Sequence, residues 1–220
     1  MTKLFRAGLL AVLLTQAAVA DDYRVEVSQD PPADLLSAKI APQIASRGVK
    51  VMRGEKRTVC EIWPAKAWPA EPAAKTSSSV LYPFHVGQLM GAIRFKRKSN
   101  DFKDQEIASG TYTLRYGHQP VDGNHVGTSD TRDFLVLIPA DADLSPDPLA
   151  EKDMFKLSAK AAGTKHPAIF PLIKPAAGPV PAVRHVEDKG WWAVRLAPDN
   201  KADAAGGAIE LVIVGKSGER

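Results

Sequence analysis

The chain has 220 residues, of which 29 are lysine or arginine and 25 are aspartate or glutamate, so its formal net charge is +4 at pH 7. A charge this small gives no electrostatic argument for a nucleic-acid partner. The one cysteine cannot form a disulfide within the chain. The length suffices for one good hydrophobic core or two small ones.

The N-terminus has the three parts of a secretory signal peptide over residues 1–20. Lys3 and Arg6 form a short positive region, residues 7–14 are uninterruptedly apolar, and small residues at 18–20 precede two aspartates. This pattern predicts cleavage after residue 20. The apolar run is too short for a bilayer, which takes about 20 apolar residues to span.

We therefore expect an exported protein, periplasmic or extracellular, with no membrane span after signal cleavage. Cleavage also removes Lys3 and Arg6, which leaves 27 basic residues (29 less two) against 25 acidic ones. The mature net charge is then about +2, which further weakens any argument for nucleic acid.

Short alternating runs dominate the mature chain, residues 21–220. They are bounded by turn residues and rich in β-branched and aromatic side chains, which is typical of β-strands. In chain order the predicted strands are 23–27, 48–52, 58–63, 89–95, 111–116, 134–138, 191–196 and 208–214. Eight short strands predict a sandwich or a barrel, and we favour a single all-β, sandwich-like domain.

Two segments have helical patterns, and we expect both to be short helices at the periphery of the β domain. Residues 31–44 place apolar side chains on one helix face, although Pro42 is expected to kink or shorten that helix. Residues 146–162 form the second, with Gly163 in position to end it.

Two proline-rich stretches are predicted to be irregular. Residues 64–79 hold three prolines, five alanines and three serines, a composition typical of an exposed loop. Residues 171–181 hold four prolines, which we expect to exclude a central strand there.

Two further features favour structural roles. Cys60 lies within an alternating strand and is expected to be buried as a small hydrophobic side chain. The basic run Arg94, Lys96, Arg97 and Lys98 is typical of a solvated strand end rather than an anion site.

The most unusual stretch runs from residue 110 to residue 140. Tyr112, Leu114 and Tyr116 share one face of its first strand. A polar connection over residues 117–133 then leads to the next strand. Long connections of this kind often carry function.

His118, Asp122 and His125 are the candidate metal ligands of this 117–133 loop. Imidazole nitrogen and carboxylate oxygen suit divalent zinc, copper or manganese. A reversal at Asp122 and the following glycine would bring the two histidines together, and His166 is the side chain that would complete the site. The spacing matches no standard metal motif, and the alternative is a structural loop whose aspartates bond backbone amides.

Four tryptophans give the case for a carbohydrate partner. Trp63, Trp68, Trp191 and Trp192 would provide stacking faces for a hydrolase that acts on envelope polysaccharide. Packing in the core or at its rim is the alternative. Adjacent residues on a strand point to opposite faces, so we expect one of Trp191 and Trp192 to face the core.

Several stretches resemble a group of exported bacterial proteins of unknown function that is common among planctomycetes. The shared pattern is GTYTLRY, QPVDGNHVGT and RDF, with further likeness at residues 59–63, 163–168 and 191–192. The resemblance implies export and a single domain over most of the mature chain, and it carries over no catalytic residue.

No catalytic motif stands out in the sequence. There is no Gly-x-Ser-x-Gly elbow, no Gly-rich dinucleotide loop and no phosphate loop. The leading hypothesis is a non-catalytic, extracytoplasmic binding or accessory module without a cofactor. The alternatives are a metal-binding protein or metalloenzyme that uses the 117–133 loop, and the polysaccharide hydrolase.

Overall fold

A computed structural model of the protein describes residues 23–121, 129–201 and 207–217, so the predicted signal peptide lies outside the described residues. The strands of this part of the chain are β1 (Tyr23–Ser28), β2 (Gly48–Arg53), β3 (Arg57–Pro64), β4 (Leu89–Phe95), β5 (Ser99–Asn100), β6 (Glu106–Ile107), β7 (Gly110–His118), β8 (Asp133–Pro139), β9 (Ile169–Ile173), β10 (Ala182–Val186), β11 (Trp191–Leu196) and β12 (Ile209–Val214). Its α-helix is α1 (Glu151–Ala162), and 3-10 turns occur at Ala33–Leu35, Ala41–Gln43, Glu187–Lys189 and Pro198–Asn200.

Ten of the strands form one antiparallel sheet in the order β1-β2-β3-β4-β7-β8-β9-β12-β11-β10, and β5 pairs with β6 in a small separate ladder. The first and last strands of the sheet, β1 and β10, lie against each other, so the sheet curls almost into a barrel. The all-β prediction is confirmed, and all eight predicted strands are present.

Strand β9 corrects the prediction that prolines exclude a central strand over residues 171–181. β9 pairs with β8 from Ile169 to Pro171 and with β12 through Leu172 and Ile173. Pro171 has no N–H to donate, and it lies where the ladder changes from one neighbour to the other. A proline is tolerated at this point because the interrupted ladder continues with a different strand.

The first predicted helix, over residues 31–44, is also wrong. Two 3-10 turns replace it, and Pro42 lies in the first turn of the second one. A proline is accepted at the start of a helical turn but blocks the hydrogen bond that an α-helix would need there. The second helix is confirmed as α1, although it begins at Glu151 rather than at residue 146, and it ends before Gly163, which is in the left-handed region with φ 62°.

The inner face of the curled sheet holds the largest apolar cluster. Tyr112, Leu114 and Tyr116 all belong to it, so their predicted shared face is the inner one. Strand β8 alternates in the same way. Its Leu135 points inward, whereas Phe134 packs in a separate cluster beneath α1 on the outer face.

The connection between β3 and β4 departs from the predicted exposed loop over residues 64–79 most clearly at Trp68. Most of its side chains are exposed, but Trp68 is 1% exposed and donates its indole N–H to the Met90 carbonyl at 2.8 Å. The later part of the connection continues inward, and Phe84 packs edge-on against both Trp68 and Tyr116.

The predicted burial of Cys60 is confirmed, with 1% of its surface exposed. Burial is the larger cause that raises the pKa of the thiol far above its ordinary value, and the neighbouring Glu61 charge adds to the shift. A thiol held in its protonated form is a poor nucleophile, so Cys60 packs as an inert core side chain.

Candidate ligand-binding site

A cavity of about 260 Å³ lies outside the sheet, between the outer face of β8 and β9, the helix α1 and the turn after β5. We call it the aromatic cavity. Its apolar walls come from Phe102, Phe134, Phe155, Ile169 and Pro171. These residues come from four separate parts of the chain, so only the tertiary fold assembles them.

The sheet and the helix position two facing walls of the aromatic cavity. Phe134 on β8 lies opposite Pro171 of β9 in the strand register. Phe155 extends from α1, and its ring lies 6.1 Å from that of Phe134 at an interplanar angle of 28°. Offset aromatic pairs at this separation pack favourably, so the two rings hold each other in place on the cavity wall.

Asp101 fixes the third wall. Its buried carboxylate accepts N–H groups from Lys103 at 2.9 Å, from Gln105 at 2.8 Å and from Ile169 at 3.1 Å. These bonds tie the turn that carries Phe102 to the start of β9. The ring of Phe102 is further held edge-on by Trp191 at 5.1 Å.

The polar side of the aromatic cavity is formed by chain that precedes residue 122 and chain that follows residue 128. Gln119, Ser129, Thr131 and Asp133 line it, and His166 lies exposed at its rim. The Thr131 hydroxyl donates to the Leu172 carbonyl at 2.6 Å. The Ser129 hydroxyl is buried and has no hydrogen-bond partner among the described residues.

Tyr116, His118 and Asp133 form a polar cluster at the end of β7 and β8. His118 and Asp133 lie opposite each other in the register. The Tyr116 hydroxyl donates to Asp133 and lies 2.9 Å from His118 Nε2, and the other Asp133 oxygen accepts the Leu81 N–H at 2.8 Å. The polar groups of this cluster are therefore hydrogen-bonded to one another and to the Leu81 N–H.

The protonation states of this cluster suit a structural role. Burial, followed by the Asp133 charge, raises the pKa of Tyr116 above its ordinary range, so the phenol stays protonated. Burial lowers the pKa of His118 below its ordinary value, and the Asp133 charge opposes part of that shift. A neutral imidazole and a protonated phenol therefore lie beside the Asp133 carboxylate at the end of the β7–β8 pair.

The structure places the predicted metal ligands only in part. His118 contacts Tyr116, and His166 lies at the rim of the aromatic cavity, whereas Asp122 and His125 lie outside the described residues. Within the described ranges, no group of three His, Cys, Asp or Glu side chains is arranged to hold a metal ion. The metal site of the 117–133 loop stays a prediction.

The four tryptophans, all of them in the described part of the chain, pack rather than present a stacking face. Trp63, Trp68 and Trp191 are buried. Trp192 lies between the rings of Tyr23 and His185, each with its centroid 4.6 Å away. The opposite orientation of the adjacent pair is confirmed, since Trp191 and Trp192 belong to different apolar clusters.

Sequence reasoning missed the aromatic cavity because nothing local marks Phe102, Phe155 or Ile169 as partners. The one sequence signal near it is the polar 117–133 connection, whose two described ends both contribute lining residues.

Across the described residues, no helix is long and apolar enough to cross a membrane.

Comparisons of the chain with protein-family models, curated protein sequences and solved structures find no match. The planctomycete resemblance therefore stays a prediction, and the function has to be inferred from the cavity and its surroundings.

Proposed function

We propose that this protein is an exported, non-catalytic binding module, and that its ligand is a small apolar molecule with one polar group. The observation that carries the proposal is the aromatic cavity with the buried, unpartnered Ser129 hydroxyl on its polar side. Ligand sites are typically concave, mostly apolar and provided with a few polar groups that set orientation.

The size of the cavity limits the ligand to one or two rings. A cavity of about 150 Å³ is enough for benzene, and the aromatic cavity measures about 260 Å³. The apolar body of the ligand would pack between Phe134 and Phe155. Its polar group would meet Ser129, whose buried hydroxyl gains a hydrogen bond that it lacks among the described residues.

Binding is favoured over catalysis because the strongest polar groups nearby already satisfy one another. Asp133 lines the cavity, but its two oxygens accept from Tyr116 and from the Leu81 N–H. These bonds leave the carboxylate fewer free lone pairs with which to act as a general base toward a substrate proton. The signal-peptide pattern supports the same proposal by placing the ligand outside the cytoplasm.

Titration of the purified protein with 2-naphthol and with naphthalene tests the proposal. We expect both compounds to bind with 1:1 stoichiometry, measured by fluorescence or calorimetry. Phe155→Ala should weaken both by at least about tenfold, because an aromatic wall is lost. Leu157→Ala is the matched control, since Leu157 lies on the same helix and in the same apolar cluster but does not line the cavity.

Ser129→Ala separates the polar contact from the apolar one. It should weaken the binding of 2-naphthol by about fivefold to tenfold, which corresponds to the free energy of one hydrogen bond. The affinity for naphthalene should stay unchanged. Failure of the folded wild type to bind either compound, or equal binding by Phe155→Ala and wild type, would contradict the proposed site.

A further inference from the structure

Three separate stretches bring basic side chains to a second concavity of about 400 Å³, which we call the basic groove. They are the β2–β3 hairpin, the turn after β4 and the residues that follow β12. Their basic side chains in the groove are Arg53, Arg57, Arg97, Lys98 and Lys216.

Two of these five basic side chains have no acidic partner among the described residues. The Asp101 carboxylate is 2% exposed and is occupied by the N–H groups that hold its own turn. Asp104 pairs with Lys216, and Lys98 pairs with Glu106 at 2.7 Å. Arg57 and Arg97 have no carboxylate within ion-pair distance among the described residues.

The strand register concentrates positive charge at one end of the basic groove. Arg53 and Arg57 face each other directly across the β2–β3 ladder, and the Arg53 guanidinium lies 5.9 Å from the centre of the Tyr23 ring. Arg53 has a partner of its own, so Arg57 is the arginine of this pair that has no carboxylate within ion-pair distance among the described residues.

Neighbouring residues in the basic run at the end of β4 show that not every basic side chain of the run lacks an acidic partner. Arg94 lies 2.8 Å and Lys96 3.4 Å from the buried Glu61 carboxylate. Arg97 instead points into the basic groove. The run that the sequence suggested to be a solvated strand end is therefore divided, with one part neutralised and one part facing a concavity.

We infer that the basic groove binds a small organic oxyanion, whose carboxylate or phosphate group is held by Arg57 and Arg97. Guanidinium presents a planar fork of N–H donors that matches both oxyanions in bidentate geometry. The volume of about 400 Å³ leaves room for a body of one or two sugar rings in size beside the charged group.

The basic groove is distinct from the aromatic cavity, although one turn separates them. Phe102 and Ser217 line the aromatic cavity. Their neighbours Asp101, Asp104 and Lys216 line the basic groove. The Ser217 N–H donates to the Phe102 carbonyl at 2.9 Å, which joins the two parts of this shared wall. The two sites share no lining residue, so anion binding in the groove can be tested independently of apolar-ligand binding in the cavity.

Calorimetric titration of the full protein at low ionic strength tests the inference with two sets of probes. Inorganic phosphate and pyrophosphate report on a phosphate ligand, and galacturonate and citrate report on a carboxylate ligand. We expect one set to bind with 1:1 stoichiometry, and the set that binds identifies the oxyanion. Added salt should weaken the binding, because ions screen exposed charges.

Arg57→Gln and Arg97→Gln should each weaken this binding by at least about tenfold, since each removes a charge-assisted pair of hydrogen bonds. Arg47→Gln is the matched control, because Arg47 is an exposed arginine outside the groove and the change in net charge is the same. We expect it to stay within about twofold of wild type. Phe155→Ala should also leave anion binding unchanged.

Two results would overturn the inference. One is the absence of measurable binding for both probe sets to the folded wild type. The other is an equal loss in the Arg47, Arg57 and Arg97 variants, which would show that the anions respond only to net charge.

Discussion

Two buried ion-pair networks in this sheet differ in what they join. Arg115 on β7 and Asp143 after β8 both have side chains that are 0% exposed, and their closest approach is 2.8 Å. At the far end of the sheet, Glu210 on β12 accepts from Arg195 on β11 and from Arg184 on β10, each at 2.6 Å. The first pair has one cation, whereas the second carboxylate has two.

The first network fastens irregular chain to the sheet. The remaining N–H groups of Arg115 bond the carbonyls of Gly87, Ser145 and Asp147. These bonds hold the segment that leads directly into α1, the helix that carries Phe155. The Glu210 network links three adjacent strands that the backbone ladder already joins, and it also holds the β9–β10 connection, because Glu210 accepts the Ala176 N–H at 3.0 Å and Arg195 donates to the Pro179 carbonyl at 3.3 Å. That connection does not line the aromatic cavity. Loss of the first network should therefore reach the aromatic cavity, and loss of the second should not.

Arg115→Met should produce the largest effect. It leaves the Asp143 carboxylate buried without a cation, which typically costs about 3–5 kcal/mol. We expect the free energy of unfolding, measured by urea titration, to fall by that amount and naphthalene binding to weaken with it. Arg94→Met is the control, because its partner Glu61 keeps Lys96, and it should cost about 1 kcal/mol.

A double variant sharpens this test. Adding Asp143→Leu to Arg115→Met removes the unpaired carboxylate, so part of the lost stability should return. If the double variant is as unstable as the sum of the two single variants, the ion pair is not the cause of the loss.

Arg195→Met should have an intermediate effect. Glu210 keeps its bond to Arg184, so we expect a loss of about 2 kcal/mol, the value of charged hydrogen bonds rather than of an orphaned charge. Urea unfolding of this variant beside Arg115→Met measures the difference directly. Naphthalene affinity should stay at the wild-type value. Equal losses of unfolding free energy in Arg195→Met and Arg115→Met would contradict the proposed difference between the two networks.

The smallest effect should come from His118, which belongs to a polar cluster that can titrate. Its folded-state pKa is lowered from an ordinary 6.5, chiefly by burial. As the pH falls below about 6.5, the unfolded chain therefore binds a proton at this residue before the folded protein does. The free energy of unfolding should decrease through that window and level off below the folded pKa.

Urea titrations of the wild type and of His118→Gln between about pH 7.5 and pH 5 isolate this contribution. Glutamine retains a polar group for Tyr116 but does not titrate. The difference in stability between the two proteins should shrink as the pH falls. A difference that is constant across the range would contradict the lowered pKa.

The sequence predicted the strands well because each one alternates or is continuously apolar over its own length. The helix predicted over residues 31–44 failed for a local reason, its own Pro42, whereas the other failures involve partners distant in the chain. Pro171 is tolerated because β9 changes neighbour there, and Trp68 is buried because its indole reaches Met90. Arg115 lies on the face of β7 opposite Tyr112 and Tyr116, as strand alternation requires, but no local pattern shows that Asp143 covers it.

The near-closure of the sheet has a consequence for how the protein behaves in a crowded solution. Among the described residues, no ladder joins β1 to β10, and the stack of Tyr23, Trp192 and His185 bridges these strands instead. Exposed edge strands are templates for aggregation. Here β1 and β10 lie against each other, so each edge strand blocks the other from pairing with a strand of another molecule. We therefore expect little growth of fibrils from these edges.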